Sequence, residues 1–517
     1  MKKHSLLLLF LGLSLLYVLT HLWGLTSLPV FADEAIYIRW SQLIIDNWRQ
    51  YLFFPLNDGK TPLFMWLLVP FQFIFSDKLY AARFVSVLIG YFELVLFFLL
   101  LKKLTKSKAV IFFGSLLVCI LPFWYFHHRM ALTEALLGLT VTVSIYGAVT
   151  LSQVKKHVQK KMNRSELYAG ALIAAGVGLG MLTKIPALLS LPSLYVLLLL
   201  DTNADKKYLF RKALILSGGI FSGLLVFALL KLSPSFSQLF SRGGDFLYPI
   251  SEIVQGRIWN NFARIPHYTY FFMWYLTFPA LLFVLFGMFI TSVQRKVHIF
   301  FWAGVLVCVP IIVLGKVVHP RYFFPAVAYF TVAIALSFGG IVQYFETFEK
   351  RLLIRVGLTL GMALLVSNLV TQSFAFIIPN MFNADATPFV KEDRFQYLEG
   401  WSSGHGTRQL TEYLWYTSQT ESIALATEGS FGTLPDAILM YQHRKNVEGI
   451  YVEGVSFPTT EFPEAFVARA KTFDQVWYVA NEDRIKMDVS DFPVIAKYCR
   501  PYDAPCLVVW DISKVVK

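Results

Sequence analysis

The chain has 517 residues, of which 56% are hydrophobic, 16% aromatic and only 15% charged, with a formal net charge of +13. A chain this apolar over this length is not a soluble globular protein. Its basic residues fall in short tracts between apolar runs rather than on one face, so the charge does not imply a nucleic-acid groove.

The N-terminus, "MKKHSLLLLFLGLSLLYVLTHLWGL", pairs a basic start with an apolar core. The apolar run is too long for a cleaved signal peptide and no small-residue cleavage site follows it, so it reads as an uncleaved first span with its N-terminus inside. Further runs of spanning length are expected at 79–101, 108–126, 130–152, 166–183, 185–201, 213–232, 268–291, 298–316, 321–343 and 352–373. With the first run at 5–25 this makes eleven spans. The stretch "TPLFMWLLVPFQFIF" at 61–75 is short and holds two prolines. If it crossed, the tract "KKLTKSK" and every later basic tract would be inverted. The positive-inside rule therefore places it on the outer face as a juxtamembrane or re-entrant helix. An odd number of spans then puts the C-terminal segment outside.

The expected fold is a polytopic α-helical membrane protein with a C-terminal soluble α/β domain. Its membrane domain runs over 1–378, including outer juxtamembrane helices at 33–75, and the extracytoplasmic domain over 379–517. Cytoplasmic-membrane location follows from this topology. Within the first outer loop, Ala35–Tyr51 carries Ile36, Trp40, Ile44 and Trp48 at helical spacing. That pattern predicts an amphipathic helix lying in the membrane interface.

Sorting ionisable residues by side gathers Asp33, Glu34, Lys60, Arg83, Arg129, Glu134, Lys184, Lys316, His319 and Arg321 on the outer face. A transporter is expected to hold such residues at the bilayer midplane on broken helices, and only Glu93 reads as mid-span. A cation-rich outer chamber suits an anionic lipid head, because Lys and Arg pair strongly with phosphate oxygens. A carboxylate beside it can act as a base toward a hydroxyl.

The motifs carrying these residues resemble those of glycosyltransferase family 39, with its C-type multi-spanning fold. The family includes the protein O-mannosyltransferases and the bacterial transferases that add aminoarabinose to lipid A. The family's Asp-Glu pair in the first outer loop matches "ADEAIYIRW", with Asp33 and Glu34. Its lysine before a proline-containing helix matches "GKTPLFMW", with Lys60, and "AARF" supplies Arg83. "HRMALTEALL" supplies Arg129 and Glu134, "MLTKIPALLSLP" supplies Lys184, and "PRYFFP" supplies Arg321 and Tyr322.

The resemblance implies an inverting transfer of a sugar from a polyprenyl-phosphate donor to an acceptor hydroxyl outside the cytoplasm, whether on glycan, lipid or protein. Asp33 is then the base with Glu34 as its neighbour, and Glu134 a second carboxylate. Lys60, Arg83, Arg129, Lys184, His319, Arg321 and Tyr322 are the expected phosphate ligands. No cofactor, nucleotide or nucleic acid is expected. Gly59 stands where the aminoarabinose transferases have a glutamate proposed as a metal ligand, so no metal ligand is carried over, and a divalent metal is left open. Glu134 stands where the family more often has Asp, and Thr61 replaces a proline. Two alternatives are a lipid-linked-sugar flippase or transporter, and a glycan ligase or polymerase of related architecture.

In the tail, "ESIALATEG", "NVEGIYVEG", "DQVWYVANE" and "CLVVWDIS" read as strands, and "TRQLTEYLWYTSQ", "TLPDAILMYQ" and "FPEAFVARAKTF" as helices. "GSFGT" reads as a turn after the first strand. Cys119 and Cys308 read as packing residues within spans. Cys499 and Cys506, in "CRPYDAPC", are expected to form a disulfide in an exported domain.

Overall fold

The computed structural model describes residues 4–155, 161–202, 205–346, 352–445 and 449–516. The basic tracts at 154–164 and 348–355 therefore lie partly outside the described residues. The chain divides into two compact units, each built from separate pieces of sequence.

The first unit comprises Met1–Trp23, Phe53–Phe64 and Phe84–Met381. Among the described residues, seven helices are long and apolar enough to cross a membrane: Lys78–Leu104, Thr133–Ser152, Arg164–Thr183, Lys206–Leu232, Gln294–Leu314, Pro320–Glu346 and Leu352–Phe382. Two bent pairs pass the same test, Lys108–Ile120 with Pro122–Arg129 at 52°, and Ile265–Tyr275 with Phe278–Gly287 at 103°. Leu6–Leu22 and Ile185–Leu200 are shorter apolar helices. Every span read from the sequence thus has a helical counterpart, with two corrections: the run at 108–126 bends by 52° where Pro122 opens its second helix, and the run at 268–291 bends more sharply. The run at 268–291 is not a single straight span: Thr277 adopts a left-handed φ of 69°, and Pro279 opens a second helix in a new direction.

Two helices in the unit approach closely because glycines line their contact. A methyl group at Gly223 would stand 2.8 Å from the Ala174 carbonyl oxygen, so Arg164–Thr183 and Lys206–Ala228 could not pack as they do with a larger residue there. By contrast, Leu352–Phe382 is only 6% buried over its most apolar window. That bare apolar surface suits hydrocarbon, not water.

The second unit comprises Gly24–Leu52, Met65–Arg83 and Phe382–Lys517. Residues 24–52 and 65–83 thus group with the C-terminal residues. Five strands form one sheet: β1 (Ile423–Glu428), β2 (Ile450–Ser456), β3 (Gln475–Asn481), β4 (Val494–Tyr498) and β5 (Leu507–Asp511). Their order is β2-β1-β3-β5-β4, with β1 parallel to β2 and β3, and β5 antiparallel to β3 and β4. β1 is buried throughout, as a central parallel strand should be. Leu410, Leu414 and Ile438 cover one face of the sheet, and Phe466 and Ala470 the other. Cys499 and Cys506 are joined by a disulfide.

The helix expected in the membrane interface is instead Ala32–Asp46, with ten of its fifteen residues buried. Gln42 Nε2 donates to the Met440 carbonyl at 2.9 Å, and Asp46 pairs with His443 at 2.9 Å. Both partners follow from the helix Asp436–Gln442 of the same unit. Protein covers Ile36, Trp40 and Ile44, and only Trp48 remains exposed. The amphipathic pattern was real, but its apolar face is satisfied by the α/β domain.

Candidate active site

Within the first unit, one buried carboxylate gathers several of the expected residues. Glu134 lies in the first turn of Thr133–Ser152, where the helix dipole favours an anion. Lys184 caps the C-terminus of Arg164–Thr183, the end that favours a cation. Lys184 Nζ donates to Glu134 Oε1 at 2.5 Å. The Lys184 side chain is 25% exposed and that of Glu134 only 2%, so the lysine is the member of the pair that a ligand can reach.

Arg321 and Tyr322 come from the turn Pro320–Phe323 that opens a late span. Lys184 Nζ lies 5.8 Å from the centre of the Tyr322 ring, the Arg321 guanidinium 5.7 Å, and the His319 ring 5.5 Å. Arg321 and His127 also face Glu134 electrostatically. Glu134, Lys184, His319, Arg321 and Tyr322, distant in sequence, therefore share one neighbourhood.

Arg129 has a different task. Its Nη1 donates to the carbonyls of Thr20, His21 and Trp23 at 2.9, 3.0 and 2.8 Å, where the first helix ends. Its guanidinium also lies 5.0 Å from the Tyr125 ring centre, and the residue is buried. The expected phosphate ligand is here a C-terminal helix cap. Lys60 follows Gly59, whose φ of 70° closes the short helix Phe54–Asp58. A side chain at Gly59 would be strained and would sit 3.3 Å from the Leu239 carbonyl oxygen. Glycine at this position thus has a backbone reason. Asp58 next to it pairs with Arg242 at 2.5 Å.

In the second unit the Asp33-Glu34 pair divides its roles. Glu34 is fully buried and its Oε2 accepts the Phe31 backbone N–H at 2.9 Å, closing the start of its own helix. Arg83 grips the same carboxylate in bidentate fashion, Nε to Oε1 at 2.8 Å and Nη2 to Oε2 at 2.7 Å. Its remaining donors reach the carbonyls of Leu25, Leu28 and Pro29, each at 2.9 Å. All five guanidinium hydrogens are engaged and the residue is 1% exposed. Arg83 is therefore a brace for the loop, not a group held ready for phosphate. Motif spacing alone does not distinguish the two.

Asp33, by contrast, is half-buried at the helix N-terminus. The loop leading to it is fixed by backbone pairing within its unit. Gly404 N–H donates to the Val30 carbonyl at 2.7 Å, Ala32 N–H to Ser402 at 2.9 Å, and Phe31 bridges to Ser403. Phe31 also packs edge-on against Tyr397 at 4.9 Å. The C-terminal domain thus sets where Asp33 stands, a link invisible in the linear sequence.

The bent helices and the sheet-bearing C-terminal domain go with the C-type glycosyltransferase fold, which two solved structures share. The solved structure of ArnT from Cupriavidus metallidurans bound to undecaprenyl phosphate matches with a TM-score of 0.59 at 12% identity, covering 100% of this chain and 99% of that one. The archaeal oligosaccharyltransferase AglB from Archaeoglobus fulgidus, in complex with an inhibitory peptide and a dolichol phosphate, matches with a TM-score of 0.54 at 12% identity, covering 93% and 70%. At the level of family, residues 52–228 match the model for dolichyl-phosphate-mannose-protein mannosyltransferases. No curated protein matches the chain by sequence.

Proposed function

We propose that the protein is an inverting glycosyltransferase that moves a sugar from a polyprenyl-phosphate donor to an acceptor hydroxyl on the outer side of the cytoplasmic membrane. Lys60, Lys184, Arg321 and Tyr322, with His319 at their edge, hold the donor phosphate. Asp33 takes the proton of the incoming hydroxyl, whose oxygen attacks the anomeric carbon on the face opposite the phosphate. The carbon–oxygen bond to phosphate breaks, and the polyprenyl phosphate leaves with its new charge met by the cations. Glu134 keeps Lys184 aimed while the site is empty and releases it to the phosphate on binding. Glu34, Arg83 and Arg129 act as positioning residues.

The observation that carries this reading is the reachable Lys184, paired to a buried carboxylate and attended by Arg321 and Tyr322. These residues occur in the motif order of the family. The basic tracts and the Cys499–Cys506 disulfide support an exported C-terminal domain. The test is sugar transfer in proteoliposomes loaded with native polyprenyl-phosphate sugar. Asp33→Asn should abolish turnover while leaving retention of undecaprenyl phosphate intact, and Lys184→Met should weaken that retention. Undiminished transfer by Asp33→Asn would remove the proposed base.

A further inference from the structure

The C-terminal sheet carries a feature that the reaction above does not use. Its parallel strands run in the order β2-β1-β3, so the chain leaves β1 toward β2 on one side and returns past it to β3 on the other. In open α/β sheets such a reversal opens a crevice beyond the carboxyl ends of the strands, and ligands bind there. Here those ends are Glu428 on β1, Ser456 on β2 and Asn481 on β3.

Aromatic and planar polar side chains converge at this crevice. Arg484 follows β3, and its guanidinium lies 3.7 Å from the ring centre of Phe457, which follows β2, and 4.4 Å from that of Trp401. Its Nε stands 3.4 Å from Glu428 Oε1 and makes no hydrogen bond among the described residues. Glu428 is held from behind by Asn481, through its side-chain amide and its backbone N–H at 3.2 Å. Trp401, Phe457 and Phe431 at the tip of the loop after β1 are 38%, 50% and 56% exposed. Three large exposed rings beside a charge pair whose side chains are only 16% and 5% exposed are not what a purely structural core leaves behind.

The chemistry selects among ligands. Arg484 and Glu428 cancel in charge, so the crevice has no net pull on an anion, and its Gly-rich loop already gives the Gly432 N–H to Asp436 at 2.7 Å. A neutral polyol suits it better. Exposed ring faces stack on the C–H face of a pyranose, and a planar donor fork beside a carboxylate matches vicinal hydroxyls. The crevice also adjoins the proposed base. A methyl group at Gly432 would lie 3.6 Å from the Trp401 ring and 3.9 Å from the side chain of Ala32, the residue before Asp33. Thr433 Oγ1 is tied to the Trp401 carbonyl at 2.8 Å.

We propose that the crevice formed by Trp401, Glu428, Phe431, Phe457 and Arg484 binds a sugar ring of the acceptor, so that the acceptor is a saccharide rather than a peptide. This rests on the transferase reading only for the word acceptor; the binding itself does not depend on it. The experiment is saturation-transfer NMR on the full chain in nanodiscs. The probes are the methyl glycosides of glucose, mannose, galactose and N-acetylglucosamine, and a Ser/Thr-rich peptide.

At least one glycoside should receive saturation on its ring protons. Phe457→Ala and Arg484→Lys should each weaken that binding about tenfold, the upper range for one aromatic contact. Phe431→Ala, at an exposed tip, tests the same platform without threatening the fold, and Tyr416→Ala, 79% exposed and outside the proposed lining, is the control. Melting curves check that each variant is folded. Saturation of the peptide alone, or a glycoside signal unchanged in all three crevice variants, overturns the proposal. No glycoside binding by the unmutated chain, with donor turnover intact, sinks the saccharide subsite alone. Glycoside binding without any donor turnover leaves the subsite standing and sinks the transferase.

Discussion

Replacing Arg83 by methionine removes five hydrogen bonds at once. Two of them neutralise Glu34, whose side chain is 0% exposed. Removing one partner of such a buried pair costs about 3–5 kcal/mol, because the other charge stays in low dielectric. The carbonyls of Leu25, Leu28 and Pro29 are orphaned as well, at about 1 kcal/mol each even at the low end. The expected loss exceeds roughly 5 kcal/mol, comparable to the whole stability of many domains. Glu34→Gln alone should cost about 3 kcal/mol, since Arg83 keeps its three carbonyl partners. The double variant Glu34→Gln with Arg83→Met removes both charges and should cost less than the two single losses combined, with a coupling on the order of 2 kcal/mol.

The assay is denaturant unfolding of the full chain in nanodiscs, followed by tryptophan fluorescence, with limited proteolysis of the loop before Phe31 as a local reporter. If Arg83→Met unfolds like the parent protein and only loses its hold on undecaprenyl phosphate, Arg83 is a phosphate ligand and the brace argument is wrong.

Gly404→Ala probes the same loop from its other side. The added methyl would stand 2.5 Å from Val30 Cγ1 and 2.6 Å from the Val30 carbonyl oxygen, well inside contact distance. Overpacking there should cost about 1–3 kcal/mol and displace the segment leading to Asp33. Turnover should fall while donor retention holds, which kcat and lipid binding report separately. Asp436 offers a pH test. Burial raises its carboxyl to about 6, against the opposing pull of the Gly432 N–H and Arg39. The folded state therefore holds this proton more tightly than the unfolded one. Its contribution is complete below the ordinary aspartate range and is lost as pH rises through about 6, by on the order of 3 kcal/mol. Asp436→Asn should flatten the decline in melting temperature between about pH 4 and pH 7. An unchanged slope would assign that pH dependence to other groups.

Apolar run length was enough to find the helices of the first unit, because lipid imposes one simple requirement on every span. The bend at Thr277 was signalled by Pro279 but needs the neighbouring backbone to fix its angle. In the tail, four strands and three helices were legible from their periodicity. β4 (Val494–Tyr498) was not, since it is an edge strand with no alternating burial. Lys184, Glu134 and Arg321 could be named from motif order, whereas the work of Arg83 and Arg129 depends on carbonyls that no motif encodes. Phe457, Glu428 and Arg484 were passed over. Their signal is positional, each standing at or just after a strand end, and it becomes readable only once the strand order is known.

The backbone pairing of residues 30–32 with residues 402–404 bears on how this protein can be re-engineered. A chimera cut only at the end of the last span would import a foreign tail and strand the acidic loop without its edge partner. A graft intended to exchange acceptor preference has to carry residues 24–52 and 65–83 together with 382–517. The transplantable module is thus three stretches of sequence, and a deletion series that trims the C-terminus should silence the protein long before it reaches a span.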